Sequence, residues 1–117
     1  MEKITNEAFR IFGKNEIIRS PKELVATYQF YIGDIPKVVT VKIFKNLSNE
    51  THFYEQSHNI KTPVQASEHI TSEPFGNSLQ EALDKCIKDY TDYYNEAIQK
   101  GNIPTEDWLI VDEYYKF

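Results

Sequence analysis

The 117-residue chain reads as an α+β domain, an antiparallel sheet of about four strands with one long amphipathic helix over residues 78–100 on one face. Three observations carry that reading. Apolar residues recur at helical spacing from Leu79 to Ile98, two period-two runs flank a turn at residues 33–36, and aromatic residues reach 14% of the composition. Aromatic and β-branched side chains suit pleated surfaces, so the aromatic excess points toward strands.

The helix is the firmest element. Leu79, Ala82, Leu83, Cys86, Ile87, Tyr90, Tyr93, Tyr94, Ala97 and Ile98 share one side, because side-chain direction on a helix repeats about every 3.6 residues. The other side is charged. Glu81, Asp84 and Glu96 each stand four residues before a lysine, the favourable order for pairs worth about 0.2–0.5 kcal/mol. Ser78-x-x-Glu81 spells a capping box, in which two side chains satisfy otherwise unpaired backbone N–H groups. Gly101 suits the left-handed residue that closes a helix, and Pro104 blocks continuation. The tyrosines read as core and core-rim packing.

From the N-terminus, Ile4, Ala8, Phe9, Ile11 and Phe12 are spaced for a short helix, with Thr5 or Asn6 as cap and Gly13 closing it. The same residues could instead pair as a strand with Ile17 and Ile18 across a turn at residues 13–15; the helix is preferred. Ser20-Pro21 then breaks the chain. A hairpin follows, with Leu24, Ala26, Tyr28, Phe30 and Ile32 on one face of the first strand and Val39, Val41 and Ile43 on one face of the second. Its uneven polarity fits an antiparallel sheet with one covered face. Thr51–His58 is expected as a third strand. Residues 59–77 lose the pattern and carry Pro63, Pro74 and Gly76; connections this long are usually functional or disordered, and the composition favours an ordered loop across an edge or end of the sheet. Trp108–Tyr115 reads as a final strand, and no repeat, linker or second domain interrupts residues 1–117.

A domain this long buries about two thirds of its unfolded surface and needs no metal or disulfide to fold. The net charge is −5 with scattered basic residues, which disfavours nucleic acid and anionic membranes and favours a basic protein partner. Cys86 is the single cysteine; on the apolar stripe it reads as a small buried hydrophobe. No stretch approaches the roughly 18 apolar residues of a membrane span, and the N-terminus lacks a signal-type apolar core. A cytoplasmic protein is expected.

Chemistry-bearing constellations are sparse. His52 and His58 would lie on one face of a strand about 20 Å apart, too far to share an ion, whereas His58 and His69 could meet if the loop folds back. No spacing resembles a ligand pair, so no metal or cofactor is implied. Ser57 and Ser67 stand near His58 and His69, but neighbours in an extended chain point to opposite faces, and no nucleophile elbow is present. Four scattered glycines build no phosphate cradle.

Two functional classes follow. The preferred one is a small acidic, non-enzymatic interaction module, an inhibitor or antidote of a basic protein, with Trp108, Asp112, Glu113, Tyr114 and Tyr115 as the partner-binding group. The alternative is a small-ligand-binding or enzymatic domain whose site lies between the 59–77 loop and the sheet, lined by His52, Tyr54, His58 and His69. A homodimer through an unpaired edge, such as the C-terminal strand, is a structural option.

Overall fold

The computed structural model describes residues 2–115 and 117, with only the backbone of residues 2–6. In chain order it runs α1 (Glu2–Gly13), β1 (Lys22–Phe30), β2 (Val39–Asn46), β3 (His52–Gln56), β4 (His58–Ile60), β5 (Phe75–Gly76), α2 (Leu79–Gln99), a 3-10 turn (Glu106–Trp108) and β6 (Leu109–Val111). The α+β class holds: β1-β2-β3-β5 form a four-stranded antiparallel sheet, and α2 packs on it. Among the described residues no helix is long and apolar enough to cross a membrane.

The N-terminal segment is a helix, as preferred, but it begins at Glu2, so Thr5 and Asn6 lie inside it rather than capping it. The side chain of Ile4 falls outside the described residues. The hairpin is present with shifted ends. β1 starts two residues early and stops at Phe30, because Ile32 and Ile35 leave the strand to enter the core from the connection. Its register places Tyr28 opposite Val41 and Phe30 opposite Val39, with a bulge between Leu24 and Ala26. The bulge moves Leu24 to the face of Phe44 while Ala26 shares the face of Ile43, since one extra residue reverses the alternation.

Val39, Val41 and Ile43 are wholly buried beneath α2, which contributes Ala82, Cys86, Tyr90 and Ala97. Burying each such aliphatic side chain stabilises by about 1.5–3 kcal/mol. The far face is not bare: Phe44 and Phe53 stack at 5.3 Å, and Lys22 lies 4.4 Å from the Phe44 ring while pairing with Glu55 at 3.6 Å.

Both ends of α2 are closed as its sequence requires. Ser78 Oγ accepts the Glu81 N–H at 3.1 Å, while the Glu81 carboxylate turns back to the N–H of Asn77, one residue before the cap. At the other end Gly101 sits at φ +87°, its N–H bonding Ile98 O and that of Asn102 bonding Ala97 O. That pair of bonds is a Schellman closure.

Two sequence expectations change. Thr51–His58 is not one strand: it breaks at Ser57, and β4 turns away to pair with β6 in a separate two-stranded sheet. The C-terminal strand is correspondingly short, Leu109–Val111, and it is β5, from the end of the long loop, that pairs with β3 at the edge of the main sheet. Gly76 makes that docking possible. A Cβ there would lie 2.9 Å from Ala82 N, so only glycine lets β5 pass under the first turn of α2.

Candidate functional site

The break at Ser57 creates a densely bonded polar region. Ser57 N–H donates to Thr40 O at 2.9 Å, its Oγ accepts the Thr40 N–H at 2.9 Å, and its carbonyl accepts the Asp112 N–H at 2.9 Å. Because the chain bends here, Ser57 and His58 do not point to opposite faces as an extended segment would require. Ser57 Oγ lies 2.7 Å from His58 Nδ1.

Next to this bend, Asn59 is 3% exposed and works as a clamp. Its Oδ1 accepts from Gln56 Nε2 at 2.9 Å; its Nδ2 donates to Glu68 Oε1 at 2.9 Å and to Asp112 Oδ2 at 3.2 Å. Gln56 Oε1 in turn accepts from Cys86 Sγ at 3.5 Å. One chain of polar contacts therefore ties α2, the main sheet, the long loop and the C-terminal segment. Both amide hydrogens are used, so Asn59 reads as structural, and a buried amide left unbonded would cost about 1–3 kcal/mol.

The four candidate ligand-binding residues do not gather at one point. His52 sits at the start of β3 opposite Lys45 and Gly76, with its Nδ1 buried and unbonded. Burial, reinforced by the Lys45 charge, lowers its pKa. His58 lies in the small sheet, its carbonyl accepting the Tyr90 hydroxyl proton. Its pKa is lowered first by burial and then by Lys37, and its Nδ1 faces the Ser57 hydroxyl. His69 stands against α2, its ring 5.1 Å from Tyr93 and its Nε2 3.0 Å from Asp89 Oδ2, without the alignment of a hydrogen bond. Tyr54 is buried and bonded to Thr71, and burial pushes its phenol upward. Tyr54 and His69 share Asp89 as a neighbour; the other two stand apart.

Ser57 and His58 bring a hydroxyl and an imidazole into hydrogen-bond contact, but among the described residues no carboxylate pairs with His58, and its charged neighbour is a lysine. A base without an orienting acid is half of the usual constellation. Among the described residues no group of three or more His, Cys, Asp or Glu converges as metal ligands. Cys86 is buried, and desolvation pushes its thiol up to about 12, so it is neutral at physiological pH.

Volume decides further. The cleft lined in part by Tyr54, Gln56, Asn59, Asp112 and Tyr115 holds about 40 Å3, the scale of a few water molecules rather than the roughly 300–1,000 Å3 of ligand pockets. A broader groove of about 430 Å3 runs along residues 64–70 beside Tyr93, open to solvent.

Of the candidate partner-binding residues, Trp108 belongs to the core: it is 4% exposed, with Tyr94 edge-on at 5.8 Å. It lies in the 3-10 turn, whose backbone turns the ring inward rather than along a strand face. Asp112 is engaged by Asn59, and Tyr115 is half-buried. Glu113 and Tyr114 are exposed, Tyr114 at 84%. Gln56 and Asn59 escaped sequence reasoning, because nothing local distinguishes them from ordinary polar residues of strands and loops. No protein-family model, no curated protein and no solved structure matches this chain.

Proposed function

We propose that this chain is a non-enzymatic protein-interaction module that docks a basic protein, as an inhibitor or antidote would, through the outward face of α2 and the C-terminal segment. The observation that supports this reading is charge segregation. Residues 1–31 hold five basic and four acidic side chains, whereas residues 32–117 hold eight and fourteen. Exposed acids in that larger part include Asp84, Asp92 and Glu96 on α2, and Glu106, Asp107 and Glu113 beyond it. Lys88 and Lys100 pair with Asp92 and Glu96, and such exposed pairs are worth little and exchange readily for a partner's charges. Tyr114 adds a large exposed aromatic of the type that anchors interfaces.

The test is capture by the immobilised protein from its source, at low and high salt, compared with the triple substitution Asp84→Lys, Asp92→Lys and Glu96→Lys. A stoichiometric partner released by salt and lost by charge reversal is expected. Binding indifferent to both, or no partner at either ionic strength, refutes the reading.

A second reading has its own support in the groove along residues 64–70, whose volume of about 430 Å3 suits a small polar ligand beside His69 and Tyr93. A metabolite that raises the unfolding temperature of the wild type, but not of His69→Ala, would favour it over the first.

A further inference from the structure

The radius of gyration is 16.8 Å, against about 13 Å for a compact chain of this length, and the molecule measures 56 Å along its longest axis but 25 and 22 Å across. The N-terminal arm accounts for the excess. Among the described residues α1 packs closely on no other element. Nine of the seventeen exposed large hydrophobics lie between Phe9 and Tyr31, so the apolar surface of this molecule is concentrated on α1, its connection and β1.

β1 is incomplete in the same direction. It is the outer strand of the main sheet, so one row of its backbone donors and acceptors has no strand partner. α2 lies over β2, β3 and β5 and meets β1 at its end, where Tyr90 stands edge-on to Phe30 at 6.0 Å, while Tyr28 remains 38% exposed. Protected edges carry charge, proline or a bulge. Here the bulge and the charges Lys22 and Glu23 lie at one end, while Ala26–Phe30 is regular and uncharged.

We infer that α1 and the β1 edge join two copies of this chain, β1 pairing antiparallel with β1 about a two-fold axis and each α1 lying over the open β1 side of its partner's sheet. The second copy is the occupant that fits. A helix with an unused apolar stripe and a sheet whose outer strand is only partly roofed occur in one chain, and a two-fold satisfies both at once. Pairing about Tyr28 sets Thr27 opposite Gln29 and Ala26 opposite Phe30, with no like charges opposed. The surrounding thirty-one residues are nearly neutral, so two acidic molecules can approach at this side, whereas a basic partner finds nothing here to attract it. With about 200 Å2 for each large side chain, the eight exposed ones other than Leu24, which faces the Phe44 side, offer about 800 Å2 per copy, comparable to the ~800 Å2 per partner of a standard interface.

Sedimentation equilibrium of the full chain, from low micromolar to near-millimolar concentration, should show a species of twice 13.7 kDa. Tyr28→Lys and Tyr28→Glu should each be monomeric, and mixing them should restore a dimer, which separates a lost interface from a lost fold. Phe9→Glu with Phe12→Glu should weaken the dimer by roughly tenfold or more without changing the circular dichroism of the sheet. A wild type monomeric throughout, a mixture of the Tyr28 variants that stays monomeric, or an arm variant as tight as the wild type overturns the inference.

Discussion

Gly33 is where a single methyl group should have its largest effect. Its φ is +50°, and an added Cβ would lie 2.2 Å from Tyr94 Cζ and from the Tyr94 hydroxyl oxygen. The ring cannot simply swing aside: it stands edge-on against Trp108, and its hydroxyl accepts the Asp34 N–H at 3.0 Å. Gly33→Ala therefore carries two costs, about 1–2 kcal/mol for a left-handed alanine and about 1–3 kcal/mol for overpacking. Gly101 supplies the comparison. It also has positive φ, at +87°, but an added Cβ would meet nothing within 4 Å, so Gly101→Ala carries the backbone cost alone. Urea unfolding of both variants, with slopes of about 1–3 kcal/mol/M, should place Gly33→Ala about 2–5 kcal/mol below the wild type and Gly101→Ala about 1–2. Tyr94→Ala removes the obstructing ring. Combined with Gly33→Ala it should cost less than the two single changes together, with a coupling of about 1–3 kcal/mol. If Gly33→Ala is no worse than Gly101→Ala, or the cycle shows no coupling, the close approach of Gly33 to Tyr94 is not the source of the cost.

Other perturbations probe the polar region and the core. Asn59→Asp would put a third carboxylate between Glu68 and Asp112 where two N–H groups now donate; a loss of about 3–5 kcal/mol at neutral pH is expected. Protonation of the introduced acid should restore part of it on acidification, measured as a smaller gap to wild type in acid than at neutrality. His52 and His58 both have folded pKa values below the ordinary 6.5, so the unfolded chain takes up their protons first. The stability they permit is fully present above pH 6.5 and is lost as pH falls through their folded values. Thermal melts should fall over that window, and His52→Gln with His58→Gln should flatten the decline. Cys86, buried and with its thiol pushed up to about 12, should react with an aromatic disulfide reagent only as fast as the protein opens, and at once in urea; fast labelling of the folded protein would contradict its burial.

The parts of the fold set by local chemistry were legible in residue order. α2 announces itself through spacing, a capping box and a closing glycine, all of which act within a few residues of one another. The β1–β2 hairpin is equally local, and its core face of Val39, Val41 and Ile43 follows from alternation. The candidate site was legible only in pieces. Tyr54 and His69 were singled out and do share Asp89, but Trp108 looked like a surface anchor because a strand was expected where the chain makes a 3-10 turn.

The amino-acid order by itself determined which segments become helix and strand and which faces seek burial, because those preferences depend on side chains a few positions apart. Tertiary structure alone decided the rest. It broke the third strand at Ser57, sent its continuation to pair with Leu109–Val111, and recruited Phe75–Gly76 into the main sheet. It also joined Gln56, Asn59, Glu68 and Asp112 through hydrogen bonds, that between Asn59 and Asp112 spanning 53 positions. Hydrogen bonds across such separations form only once the chain has closed its loops, and nothing in the local sequence records which distant amide will meet which carboxylate.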